Sequence, residues 1–117
     1  FSSETLMTDI VAITAAQFDA YNAQDLDAYC GFFTDDVIVA DYNGAITRQG
    51  MEAYHATYAD TFGKFPQNKA LLLNRMVVGG TVIDHEKVSR GPEGPEFEVA
   101  AIYTFRGDKI CRIDFIR

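Results

Sequence analysis

From Thr8 to Ala23 the pattern carries Val11, Ala15, Phe18 and Tyr21 or Asn22, at spacings of three to four. That period predicts an amphipathic helix, with Thr8 as N-cap and Asp9 in the first turn. "NAQD" interrupts the pattern, and Asp25 is placed to cap a second helix whose face carries Leu26, Tyr29 and Phe33 before "TDD" ends it. Val37-Ile38-Val39-Ala40 then reads as a short apolar strand closed by a turn at Asn43-Gly44, and "AITRQG" pairs back as a hairpin. Met51 to Phe62 predicts a third helix, with Tyr54, Tyr58 and Phe62 aligned at i, i+4 and i+8. Beyond the loop "GKFPQN" the period changes to alternation. Leu71–Val78, Thr81–Ser89, Phe97–Phe105 and Lys109–Ile116 read as strands, separated by "GG", "GPEGP" and "GD".

Short loops make sequential strands neighbours, so the last four form an antiparallel meander with helices on one face. The fold class is α+β, one domain over residues 1–117, and a strongly curved sheet wrapped around three helices encloses a cone with an internal pocket. Parity says which side chains enter it, since alternate strand residues face opposite sides. In "EFEVAAIYTF" the apolar face is Phe97, Val99, Ala101, Tyr103 and Phe105, which puts Tyr103 under the helices. In "TVIDHEKV" one face holds Ile83, His85 and Lys87 and the other Val82, Asp84, Glu86 and Val88; parity leaves open which is interior. In the last strand Cys111, Ile113 and Phe115 make the apolar face, with Arg112 and Asp114 outside.

Composition narrows the function classes. A chain 48% hydrophobic and 23% charged is an ordinary globular domain. No apolar run approaches the ~20 residues that span a bilayer, and "FSSETLMTDI" lacks the basic start and apolar run of a secretory signal. A net charge of −7 argues against a nucleic-acid partner and against an anionic membrane surface. It favours a neutral or apolar ligand over a polyanion. Cys30 and Cys111 are far apart and read as reduced core residues of a cytoplasmic protein. His55 and His85 lie on different elements and, with two distant cysteines, make no metal-ligand set. "VVGGTV" is a hairpin turn, not a phosphate loop, and no G-x-S-x-G elbow is present.

Three stretches, "QFDAYNAQDLDAYCGFFTDDVIVADYNG", "TRQGMEAY" and "VIDHEKVSRGPEGPEFEVAAIYTFRGDKICRIDF", together resemble the nuclear transport factor 2-like superfamily. Within it they look most like the SnoaL-like and ketosteroid-isomerase-like branch. The resemblance covers nearly the whole chain and specifies the fold better than the reaction, because this superfamily includes isomerases, cyclases, dehydratases and non-catalytic binding domains. It implies a cofactor-independent enzyme of isomerase, cyclase or dehydratase type that abstracts a proton next to a carbonyl in a small apolar substrate. It also implies a homodimer formed through the outer sheet face, where Ile102, Thr104 and Arg112 are available. The alternative is a non-catalytic small-ligand-binding or dimerisation domain of the same fold.

The resemblance also implies roles. Ketosteroid isomerases place an Asp base at the end of the first strand, where this chain has Asp41. Their oxyanion hole uses a Tyr of the first helix and a protonated Asp on a long strand; those positions fall on Gln17 or Phe18 and on Tyr103. His85 falls on a pocket-facing position and would orient Asp41 or return the proton. Gln17, Phe18, Tyr21, Tyr54 and Tyr58 would line the substrate pocket. The residues themselves leave alternatives open. Asp41 can instead form an Asx-turn over Asn43-Gly44, His85 can be a solvated strand residue, and the aromatic side chains can be core. Arg48 reads as tying down the hairpin.

Overall fold

The computed structural model describes residues 9–92 and 94–117. Helix α1 spans Ile10–Ala23 and is capped by Asp9, whose carboxylate accepts from the Ala12 amide at 3.0 Å. Thr8, the expected cap, lies outside the described residues. The helix ends at Gln24 in the left-handed conformation (φ 57°), and the Gln24 side-chain amide donates to the Phe65 carbonyl at 2.9 Å. Its buried stripe is Thr14 and Gln17, flanked by half-buried Ile10, Phe18 and Tyr21, while Val11 is exposed. The face is therefore rotated from the one the apolar spacing predicts, and it brings a glutamine inward.

Helix α2 (Leu26–Cys30) is a single capped turn, with Asp25 accepting from the Ala28 amide. The expected extension to Phe33 is corrected: β1 already begins there and runs Phe33–Asp41. Phe33 is a β-former that gains more from the sheet core than from another helical turn. β2 (Ile46–Gln49) and α3 (Met51–Lys64) follow, then β3 (Lys69–Val78), β4 (Thr81–Ser89), β5 (Glu96–Arg106) and β6 (Lys109–Ile116).

The strands form one curved, unclosed sheet in the order β2-β1-β6-β5-β4-β3. Every pairing is antiparallel except β1 with β6, where the chain returns past the helices to lie parallel to its first strand. A bulge sets which face of β6 is interior. Thr104 pairs with Arg112 but Phe105 pairs with Ile110, so Cys111 is an extra residue without a partner on β5. Both Ile110 and Ile113 thereby reach the core, and the simple alternation expected through Cys111 gives way at that point. Arg112 and Asp114 remain on the outer face as an ion pair at 3.0 Å.

The helices meet the sheet through an aromatic cluster. Tyr54, Tyr58 and Phe62 on α3 stack against Tyr29 and Phe33, with Phe33 and Tyr54 ring centroids 4.7 Å apart and Tyr29 and Tyr58 5.0 Å apart. Burying two phenols is affordable because the Tyr29 and Tyr54 hydroxyls bond each other at 2.7 Å.

Candidate functional site

Between α1, α3 and the concave face of the sheet lies a cavity of about 300 Å³. β4 supplies its most unusual wall. The buried face of that strand is Val82, Asp84, Glu86 and Val88, two valines with two carboxyl residues between them. Parity had left this face undecided; cross-strand pairing with the inner face of β5 decides it, since Val82 lies opposite Tyr103 and Glu86 opposite Val99.

The two carboxyl groups are treated differently. Asp84 is fully buried and clasped by Arg75 of β3 in two parallel bonds of 2.7 and 2.9 Å. Glu86 borders the cavity and has no such partner: among the described residues its Oε2 bonds to nothing. Burial, with the neighbouring Asp84 charge, pushes the Glu86 carboxyl up to about 7, against the pull of Arg75 and the Tyr103 hydroxyl. A carboxyl at that value holds and releases its proton near neutral pH.

Tyr103 is buried beside it. Its oxygen accepts from the Gln17 side-chain amide of α1 at 3.1 Å, which leaves the phenolic proton available to another acceptor. Burial, and then the Glu86 charge, hold this phenol well above the ordinary tyrosine range, so it remains a donor. Gln17, Tyr103 and Glu86 thus form a fixed polar patch on an otherwise aromatic wall to which Phe18, Tyr21 and Tyr58 contribute.

The other predicted site residues lie elsewhere. Asp41 pairs with Phe115 on the inner register but ends the strand at the rim, half exposed, where its carboxylate accepts from Arg117 at 3.0 Å. It does not line the cavity. Nor does its side chain make an Asx-turn; the turn is closed by the backbone, from the Gly44 amide to the Asp41 carbonyl at 2.8 Å. His85 is corrected to the outer face, where Nε2 is 2.7 Å from Glu98 Oε1 in solvent, because its neighbours Asp84 and Glu86 take the inward parity. Tyr54 is also corrected: fully buried against Tyr29 and Phe33, it belongs to the core and not to the cavity wall.

Sequence reasoning passed over Glu86. The signal was available in its two flanking valines at even spacing, which mark 82, 84, 86 and 88 as a buried row. Among the described residues no group of three His, Cys, Asp or Glu is arranged to hold a metal, and no helix there is long and apolar enough to cross a membrane.

The family model of the SnoaL-like domain matches residues 14–113, a span that includes Gln17, Glu86 and Tyr103. The chain belongs to the SnoaL-like domain family. An uncharacterised protein of cystatin fold from Novosphingobium aromaticivorans is 39% identical, with a TM-score of 0.86 over 95% of this chain and 99% of that one. A proposed polyketide cyclase from Sinorhizobium meliloti is 26% identical, with a TM-score of 0.76 over 90% and 94%. A protein of ketosteroid-isomerase-like fold from Catenulispora acidiphila, solved with trimethylamine, is 18% identical with a TM-score of 0.71 over 90% and 84%, a likeness of fold. No curated protein matches the sequence. Together the SnoaL-like domain match and these neighbours establish the α+β, nuclear transport factor 2-like architecture that the resemblance implied.

Proposed function

We propose that this SnoaL-like domain is a cofactor-independent enzyme of isomerase or cyclase type, which moves a proton next to a carbonyl with Glu86 as its base. The observation that carries the reading is the Glu86 carboxyl itself: buried at the cavity, one oxygen unbonded among the described residues, and poised at about 7. Perturbed groups of this kind gather at reactive sites because the same burial that shifts them makes them useful.

In the proposed step the ionised Glu86 takes a proton from the carbon beside the carbonyl. The electron pair of the broken C–H bond becomes a C=C bond while the carbonyl π pair moves to the oxygen, giving an enolate. The Tyr103 hydroxyl donates to that oxygen, oriented by the Gln17 amide that already occupies its lone pair. Glu86 then returns its proton to the conjugate position, or the enolate carbon attacks a second carbonyl of the same molecule, closing a ring as that carbonyl's oxygen becomes an alkoxide, which takes the proton back from Glu86. In both courses the base is regenerated and nothing is oxidised. Phe18, Tyr21 and Tyr58 hold the skeleton. Asp41 keeps the rim together through Arg117, and His85 takes no step.

The test is deuterium exchange in D2O, followed by proton NMR, over a panel of cyclic enones, β-keto esters and hydroxy-ketones. Wild type is expected to exchange the α-proton of at least one compound. Glu86→Gln removes that exchange, and Tyr103→Phe slows it by about 10²-fold or more, the scale of losing a fixed oxyanion donor. Exchange by Glu86→Gln at the wild-type rate, or none by wild type across the panel, would sink the reading.

A further inference from the structure

The charged groups facing the cavity are Arg48, Arg90, Arg117 and Glu86. Three cations against one carboxyl is the reverse of the whole chain, which carries −7. Arg117 is neutralised at the rim by Asp41. Arg90 is held only by neutral groups among the described residues, donating to the Tyr21 hydroxyl at 3.2 Å and Asn68 Oδ1 at 2.7 Å, with its guanidinium over the Phe97 ring at 5.1 Å. Arg48 pairs with no carboxylate among the described residues.

The register explains how a residue of the edge hairpin comes to face the site. Arg48 lies opposite Val39, Val39 opposite Ile113, and Ile113 opposite Tyr103. Directly paired residues share a face, so Arg48 stands in one cross-strand row with Tyr103, on the covered side. Curvature of the sheet turns both ends of that row toward the same cavity, and both line it. Burial holds the Tyr58 hydroxyl above the ordinary tyrosine range, and the Arg48 charge works weakly against that rise. A half-buried guanidinium without a counter-ion is a costly thing to keep. Its planar fork matches a carboxylate in two parallel bonds.

We propose that the cavity takes a small organic carboxylate built on an aromatic or fused-ring skeleton, with the carboxylate on Arg48 and the rings against Phe18, Tyr58 and Phe97. This deepens the proton-transfer reading, and rests on it in one respect: the carbonyl that Tyr103 serves is carried by the same molecule. The net charge of the chain points to a neutral ligand, whereas the local lining selects an anion. Arg90 adds a second positive charge to the lining, which draws an anionic ligand in and repels cationic ones.

Isothermal titration of 2-naphthoate and its neutral counterpart 2-naphthamide, at pH 7.5 and low salt, tests this. Wild type is expected to bind the naphthoate about tenfold or more tightly than the amide, with the gap closing as NaCl is raised. Arg48→Gln removes the gap and leaves naphthamide affinity unchanged, which also shows that the variant is folded. Arg48→Lys restores part of it. Equal affinities in wild type, a preference for the amide, a gap that survives Arg48→Gln, or no binding of either probe would each overturn the proposal. The two readings fail separately. Loss of the naphthoate preference leaves deuterium exchange through Glu86 untouched, and absence of exchange leaves an anion-selective cavity that does no chemistry.

Discussion

Two regions of this molecule bury polar atoms among aromatic rings, and they do so to opposite ends. In the helix-to-sheet core the Tyr29 and Tyr54 hydroxyls bond each other at 2.7 Å, and the rings around them are packed at centroid distances near 5 Å. In the cavity wall Glu86 is nearly as buried and has an oxygen without a partner among the described residues. The first arrangement converts polar burial into cohesion, because each donor finds an acceptor. The second stores unfavourable free energy in a single carboxyl, which a bound ligand or a proton can relieve. The core supplies cohesion, and the cavity wall is the place where satisfaction was withheld.

The largest effect belongs to the core. Phe33→Ala removes a ring packed against Tyr29 and Tyr54, and is expected to cost about 3–5 kcal/mol in denaturant unfolding. A loss under about 1 kcal/mol would show that the cluster is loosely packed and that the contrast with the cavity is smaller than drawn.

Next comes Glu86, where the sign depends on pH. The Glu86 carboxyl has a folded value near 7, above the ordinary 4.5 of the unfolded chain. Below about 4.5 it is protonated in both states and adds no pH-dependent penalty. As pH rises from there to about 7 the unfolded chain releases its proton first, so stability falls, and above about 7 the whole penalty is present. At ~1.4 kcal/mol per pH unit this amounts to about 3 kcal/mol. Glu86→Gln is therefore expected to melt higher than wild type at pH 8 and level with it at pH 4, with a flatter curve between. Parallel curves for the two proteins would mean that Glu86 titrates like an exposed carboxyl, and the cavity would lose its proposed base.

The smallest effect is at the rim. Asp41 and Arg117 are each about half exposed, so their ion pair is screened by water. Asp41→Asn is expected to change stability by less than about 1 kcal/mol in either direction. A rise of several degrees in Tm would instead mark Asp41 as a strained group like Glu86, and would return it to the candidates for the base.

The sequence carried most of the fold. Thr81–Ser89 and Lys109–Ile116 were legible to the residue, because period-two alternation between glycine turns leaves few other readings. The start of β1 was not, since Phe33 fits a helical face as well as a strand. The inward placement of Tyr103 was legible from strand parity, and the family resemblance pointed to Gln17 or Phe18, both of which line the cavity. Glu86, Arg48 and the outward turn of His85 were not, and the reason is common to all three. A strand of alternating charged and apolar residues states that two faces exist without stating which is covered, and an edge hairpin does not state how far the sheet curves.

By itself, then, the order of periods along the chain determined the α+β class, the meander and the aromatic spine Tyr54-Tyr58-Phe62. Those follow from local sterics and from the need to bury apolar area, which act within a few residues. The tertiary structure alone decided which carboxylates lost their water. Desolvation and charge coupling depend on groups distant in the chain: Gln17 against Tyr103, Arg75 against Asp84, Arg48 three strands away in the same row as Tyr103. The charge pattern of the cavity is a property of those long-range meetings.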